Sequence, residues 1–135
     1  ERFVTAQENT YGRARDELRA GRKSGHWMWY VFPQIEGLGH SRTAREFAIS
    51  SLDEARAYLA HPVLGPRLME CAELVRAIDD KTPEQIFGYP DNLKLRSSVT
   101  LFDRAAPDQT VFHDVLQVHF DGEPDPLTLA RLAGH

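Results

Sequence analysis

The sequence predicts an all-α protein: a single compact domain over residues 1–135, with about seven to nine mostly short helices around a central aromatic segment. Three observations carry this expectation. Apolar residues recur at helical spacing, most cleanly at Leu68, Cys71, Ala72, Val75 and Ile78. Prolines, glycines and capping residues cut that pattern into short pieces. Residues 23–41 (KSGHWMWYVFPQIEGLGHS) gather both tryptophans and two of the six histidines, with a tyrosine, a phenylalanine and a methionine among them.

Residues 3–20 read as an amphipathic helix, with Phe3, Tyr11, Ala14 and Leu18 near one side and a break expected around Asn9, Thr10 and Gly12. Gly21 stops it, and Arg22 with Lys23 forms a short basic turn. Ser24 or Gly25 then opens the aromatic element. It is apolar on every helical side, so it must be enclosed on most of them. Helix is favoured over strand because no second strand is present to pair with it. Pro33 disfavours helical backbone at Phe32 and ends it there.

Ser41 caps a short helix to about Ile49. Ser51 and Glu54, three apart, form a capping box that opens a helix to about Ala60. Pro66 is placed to begin the next helix, and Thr82-Pro83-Glu84-Gln85 the one after, which Gly88 and Pro90 keep brief. From Pro90 or Asp91 a longer helix runs to about Ala105, its core face made by Leu95, Val99 and Phe102. Lys94, Ser97, Ser98 and Leu101 share a neighbouring face. Val111 to Phe120 is helical, Asp121 to Pro124 is a turn, and Asp125-Pro126 caps a last short helix carrying Leu127, Leu129 and Leu132.

Four segments in this order, HWMWYVFPQIEGLG, EARAYLAHPVLGPRL, IFGYPDNLKLRSSVTLF and DPLTLARL, resemble the domain of unknown function 1810 family of small bacterial proteins. Members are sometimes labelled calpastatin, a label for which these residues offer no physical basis. The resemblance spans nearly the whole chain. It implies a mainly α-helical fold and brings no activity and no catalytic residues.

Composition narrows the function classes. A formal net charge of −4 argues against a protein built to grip nucleic-acid phosphates. The single cysteine, Cys71, excludes an internal disulfide, fits a reducing cytoplasm, and falls on an apolar stripe as a buried structural thiol. No apolar run approaches the roughly 20 residues that cross a bilayer. His26, His40, His61, His113, His119 and His135 form no metal motif, and no phosphate loop, GxGxxG or GxSxG is present. Neither a metal nor a cofactor is expected.

Two constellations remain. Trp27, Trp29 and Tyr30 are first of all core bulk, but one tryptophan at a pocket wall would offer a stacking face, an interaction contributing roughly 1–3 kcal/mol per base. His26 beside them can move a proton or donate to phosphate. Lys94, Ser97 and Ser98 supply a charge and two hydroxyls on one helical face, a set that holds an anion. Asp91 is placed to pair with Lys94 or to cap its helix. The expected function is small-ligand binding, with or without turnover, of a phosphorylated or nucleotide-like compound such as an ADP-ribose conjugate. The alternative is a non-enzymatic interaction module with an exposed apolar patch. Convergence of His26, Trp29, Lys94 and Ser98 on one open concavity discriminates between them.

Overall fold

In the computed structural model, which describes residues 2–39 and 41–133, the described chain forms ten helices and no strand. They are α1 (Arg2–Gln7), α2 (Tyr11–Arg19), α3 (Met28–Val31), α4 (Arg42–Glu46), α5 (Leu52–Ala60), α6 (Leu64–Ala77), α7 (Pro83–Phe87), α8 (Asp91–Ala105), α9 (Thr110–Phe120) and α10 (Pro126–Ala133). His40 and His135, two of the histidines weighed above, lie outside the described residues. The all-helical expectation holds, and the count rises to ten because the N-terminal pattern is split at the anticipated place. There the Thr10 hydroxyl donates back to the Ala6 carbonyl (2.9 Å). The Gln7 side chain turns inward to donate to the Tyr30 carbonyl (2.6 Å) and the Tyr58 hydroxyl (3.1 Å), which ties α1 to α3 and α5.

Helix α8 is the spine. Leu95, Val99, Leu101 and Phe102 are fully enclosed, and α5, α7, α9 and α10 pack around it. The Phe102 ring meets those of Tyr58 (5.4 Å between centroids) and Phe112 (5.8 Å), joining α5, α8 and α9 into one core. Trp27, Phe32 and Phe87 close the end nearest α7 through tilted and edge contacts at 6.2–6.5 Å. No described helix is long and apolar enough to cross a membrane.

Three expected boundaries move, each for a local reason. The aromatic helix begins at Met28 rather than at Ser24 or Gly25, because the Glu17 carboxylate captures the amides of Ser24 (2.8 Å) and Gly25 (2.9 Å) before they can enter a helix. Helix α4 ends at Glu46 rather than near Ile49. The Ile49 amide donates to the Gln34 carbonyl and the Glu36 amide to the Ile49 carbonyl, both at 2.8 Å, in an isolated parallel bridge between Ile35 and Ile49. Helix α6 opens at Leu64, before Pro66. His61 Nδ1 accepts the amides of Val63 (3.1 Å) and Leu64 (3.3 Å), which satisfies the first free donors at the start of the helix.

Candidate functional site

The first turn of α8 brings together charges that are far apart in sequence. Asp91 opens α8, where a carboxylate is favoured by the helix dipole. One of its oxygens pairs with Lys23 Nζ (2.7 Å) and the other with Lys94 Nζ (3.3 Å). Lys23 is the more enclosed, its side chain 7% exposed against 21% for Lys94. It is fixed further by donating Nζ to the Gly25 carbonyl and its amide to the Ile86 carbonyl (2.7 Å). Two ammonium groups on one carboxylate leave that cluster with a net positive charge in a half-buried place, where it is screened less than at the open surface. Lys94 also lies over the Trp29 ring, Nζ 4.3 Å from its centroid.

The aromatic residues divide sharply. Trp27 is buried, its Nε1 donating to Glu17 (2.9 Å), so it has no face for a ligand. Trp29 is half-buried, with Lys94 against its ring. Tyr30 packs on Phe47 (5.3 Å) and donates its hydroxyl to the His26 carbonyl (3.3 Å). His26 is exposed on the loop before α3. Ser97 is enclosed and donates to the Leu93 carbonyl one turn back (3.1 Å). Ser98 is fully buried and its hydroxyl has no hydrogen-bond partner among the described residues, so it faces the core rather than a ligand. The expected set of His26, Trp29, Lys94 and Ser98 therefore does not converge on one concavity.

Lys94 and Ser97 do line one. A cleft of about 260 Å³ lies beside α8, with Pro90, Leu93, Lys94 and Ser97 as its floor. Gln34, Leu38 and Gly39 form one wall and Asp125 and Leu127, at the start of α10, the other. The Asp125 carboxylate is occupied, accepting from the Thr128 amide (2.8 Å) and hydroxyl (2.6 Å). Arg96 donates to the Glu123 (2.9 Å) and Pro124 (3.1 Å) carbonyls and so fixes the turn that leads into α10. Arg131 of α10 donates to the Glu36 carbonyl (3.1 Å) and ties α10 to the loop at residues 34–39, so the two walls are joined. Leu38, Leu93 and Leu127 were not anticipated as cleft residues. The one sequence signal was Leu93, an apolar residue off the core stripe of its helix.

Other reactive groups are quiet. Burial pushes the Cys71 thiol up to about 12, so it stays protonated at neutral pH. Among the described residues no cluster of three or more His, Cys, Asp or Glu is placed to hold a metal ion.

Glu17 has a consequence for stability. Burial raises its carboxyl, but the Gly25 and Ser24 amides and the Trp27 indole outweigh that and hold it below its ordinary value of 4.5. A carboxyl lowered on folding adds stability that is present above its unfolded value and is lost as pH falls through the folded one. Unfolding midpoints in denaturant should therefore drop as pH is taken below about 4.5, and the Glu17→Gln variant should show a shallower drop. An equal slope in both proteins would assign the acid sensitivity elsewhere, with Glu54, lowered by Ser50 and Arg2 against its own burial, as the next group to replace.

The family described as Protein of unknown function (DUF1810) matches residues 1–132. No curated protein matches the sequence. Among solved structures, the chain is similar to the conserved hypothetical protein Rv1873 from Mycobacterium tuberculosis. The two are 53% identical with a TM-score of 0.96, over 98% of this chain and 94% of that one. On sequence over almost its full length, and on a fold shared with that relative, this chain belongs to the DUF1810 family.

Proposed function

We propose that the protein binds a small anionic ligand in the α8 cleft, with Lys94 as the charged contact. The observation that carries this reading is the sharing of Asp91. Lys23 holds one carboxylate oxygen at 2.7 Å and Lys94 the other at 3.3 Å, so the ammonium nearer the cleft is the less fully compensated of the two. Leu38, Leu93 and Leu127 supply apolar walls, while the Ser97 hydroxyl proton is engaged by the Leu93 carbonyl. His26 is not among the residues that line the cleft, so the reading is one of binding and includes no chemical step.

Lys94→Met keeps an apolar stem against Trp29 and leaves Lys23 paired with Asp91, so the variant should fold. Its ligand affinity should fall by about tenfold or more. Thermal unfolding against a panel of small anions checks this, since a ligand at a hundredfold excess over its dissociation constant stabilises the native state by about 2.7 kcal/mol. A ligand whose stabilisation survives Lys94→Met binds somewhere else.

The interaction-module reading draws on a different observation: Tyr89, Leu93 and Leu127 are 72%, 45% and 65% exposed. A panel that leaves the midpoint unmoved throughout would favour it.

A further inference from the structure

We infer that the ligand class of the α8 cleft is a monocarboxylate with a compact apolar body, and not a phosphate ester or nucleotide; this rests on the cleft reading above. Charge is the first reason. Lys23 and Lys94 exceed Asp91 by a single positive charge, and Asp125 stands on the opposite wall. With Asp125 counted the two lysines and two aspartates sum to zero, so a monoanion held at Lys94 meets less repulsion from that fixed carboxylate than a phosphate dianion would.

Hydrogen-bond donors are the second reason. Ser97 already gives its proton to the Leu93 carbonyl, and Lys94 directs one N–H at Asp91. The few donors left suit two carboxylate oxygens better than three phosphate oxygens, which call for a nest of amides or a guanidinium fork. Arg96 and Arg131, the nearby guanidinium groups, are engaged with backbone carbonyls.

Size and lining are the third. At about 260 Å³ the cleft is smaller than the roughly 300–1,000 Å³ that encloses a drug-sized ligand. Beside Gln34 and Gly39, its remaining lining is Leu38, Pro90, Leu93 and Leu127, which would take a phenyl or branched alkyl group. The Trp29 ring, the natural platform for a base, already carries the Lys94 ammonium.

The test is calorimetric titration of the full chain with 3-phenylpropionate, 4-methylpentanoate, the uncharged 3-phenylpropanamide, inorganic phosphate, AMP and ADP-ribose. The same titrations follow on Lys94→Met and Leu127→Ser, each first shown to keep a cooperative thermal transition. The expected result is that a carboxylate binds at least about tenfold more tightly than its amide and than any of the phosphates. It should weaken by a similar factor in each variant. If AMP, ADP-ribose or phosphate binds as tightly as the carboxylates, and that binding depends on Lys94, the carboxylate assignment is overturned and the cleft reading stands. If no probe binds, or if both variants bind as the parent does, the assignment and the cleft reading fail together.

Discussion

Gly65→Ala is expected to cost about 3 kcal/mol or more, at or above the top of the usual range for overpacking a well-filled interior. Gly65 sits in the first turn of α6, where its amide donates to the His61 carbonyl (3.0 Å) across the corner from α5. A Cβ there would stand 2.0 Å from the Leu59 carbonyl oxygen and 2.9 Å from its carbon. Those are backbone atoms near the end of α5, so no side chain can swing aside and the two helices must separate. Separation pulls on Tyr58, whose ring packs on Phe102 and whose hydroxyl holds the Tyr30 carbonyl (3.0 Å). In a domain stable by about 5–15 kcal/mol, that is a large fraction of the total. Gly12 is the internal control. It lies in α2 with nothing within 4 Å of its added Cβ, so Gly12→Ala should stabilise by about 0.5–1 kcal/mol. Denaturant midpoints of the two variants settle it, and a Gly65→Ala loss below about 1 kcal/mol would mean that the α5–α6 corner yields.

The parts of the fold that could be read in advance were those fixed by neighbours in sequence. Thr82 and Gln85 form the full reciprocal cap (3.1 and 2.8 Å) because both partners lie within one turn. Ser51 caps Glu54 as expected, yet the returning Glu54 carboxylate takes the Ser50 amide (2.6 Å), one residue earlier than the box predicts. Pro33 ended its helix as its ring requires. What failed were boundaries set by distant groups. Glu17 unwinds residues 24–27 from another element, and Gln34 and Glu36 draw Ile49 out of helix. No local propensity encodes either event.

The site was legible to a similar degree. The spacing of Asp91, Lys94 and Ser97 along one helix placed the short-range Asp91–Lys94 pair and the two side chains that reach the cleft. Ser98, one position further, rotates into the core, because α8 is enclosed on most sides and leaves little room for a polar face. In the sequence Lys23 is only half of a short basic turn. Its burial and its hold on Asp91 come only from the folding of α7 and α8 against the loop after α2.

Replacing the two tryptophans one at a time should separate core from site. Trp27→Ala removes a side chain that is 1% exposed and fills the space between Phe32 and Phe87, so it should cost about 3–5 kcal/mol through lost burial and the cavity left behind. It also takes from Glu17 its indole donor while leaving the Ser24 and Gly25 amides, so the variant should lose part of the acid sensitivity as well. Trp27→Phe keeps most of the apolar volume and should recover much of the stability without restoring that donor. Trp29→Ala acts on a half-buried ring whose main charged neighbour is Lys94 (4.3 Å), so its cost should be about 2 kcal/mol or less. Chemical denaturation of the variants, read by far-ultraviolet circular dichroism, gives each cost directly. If Trp29→Ala costs as much as Trp27→Ala, the Trp29 ring belongs to the core, and Lys94 is held there for stability. A small Trp29 cost would instead mean that Lys94 rests on a ring the fold does not need and is held by Asp91 alone, which leaves its ammonium able to turn to a ligand in the cleft.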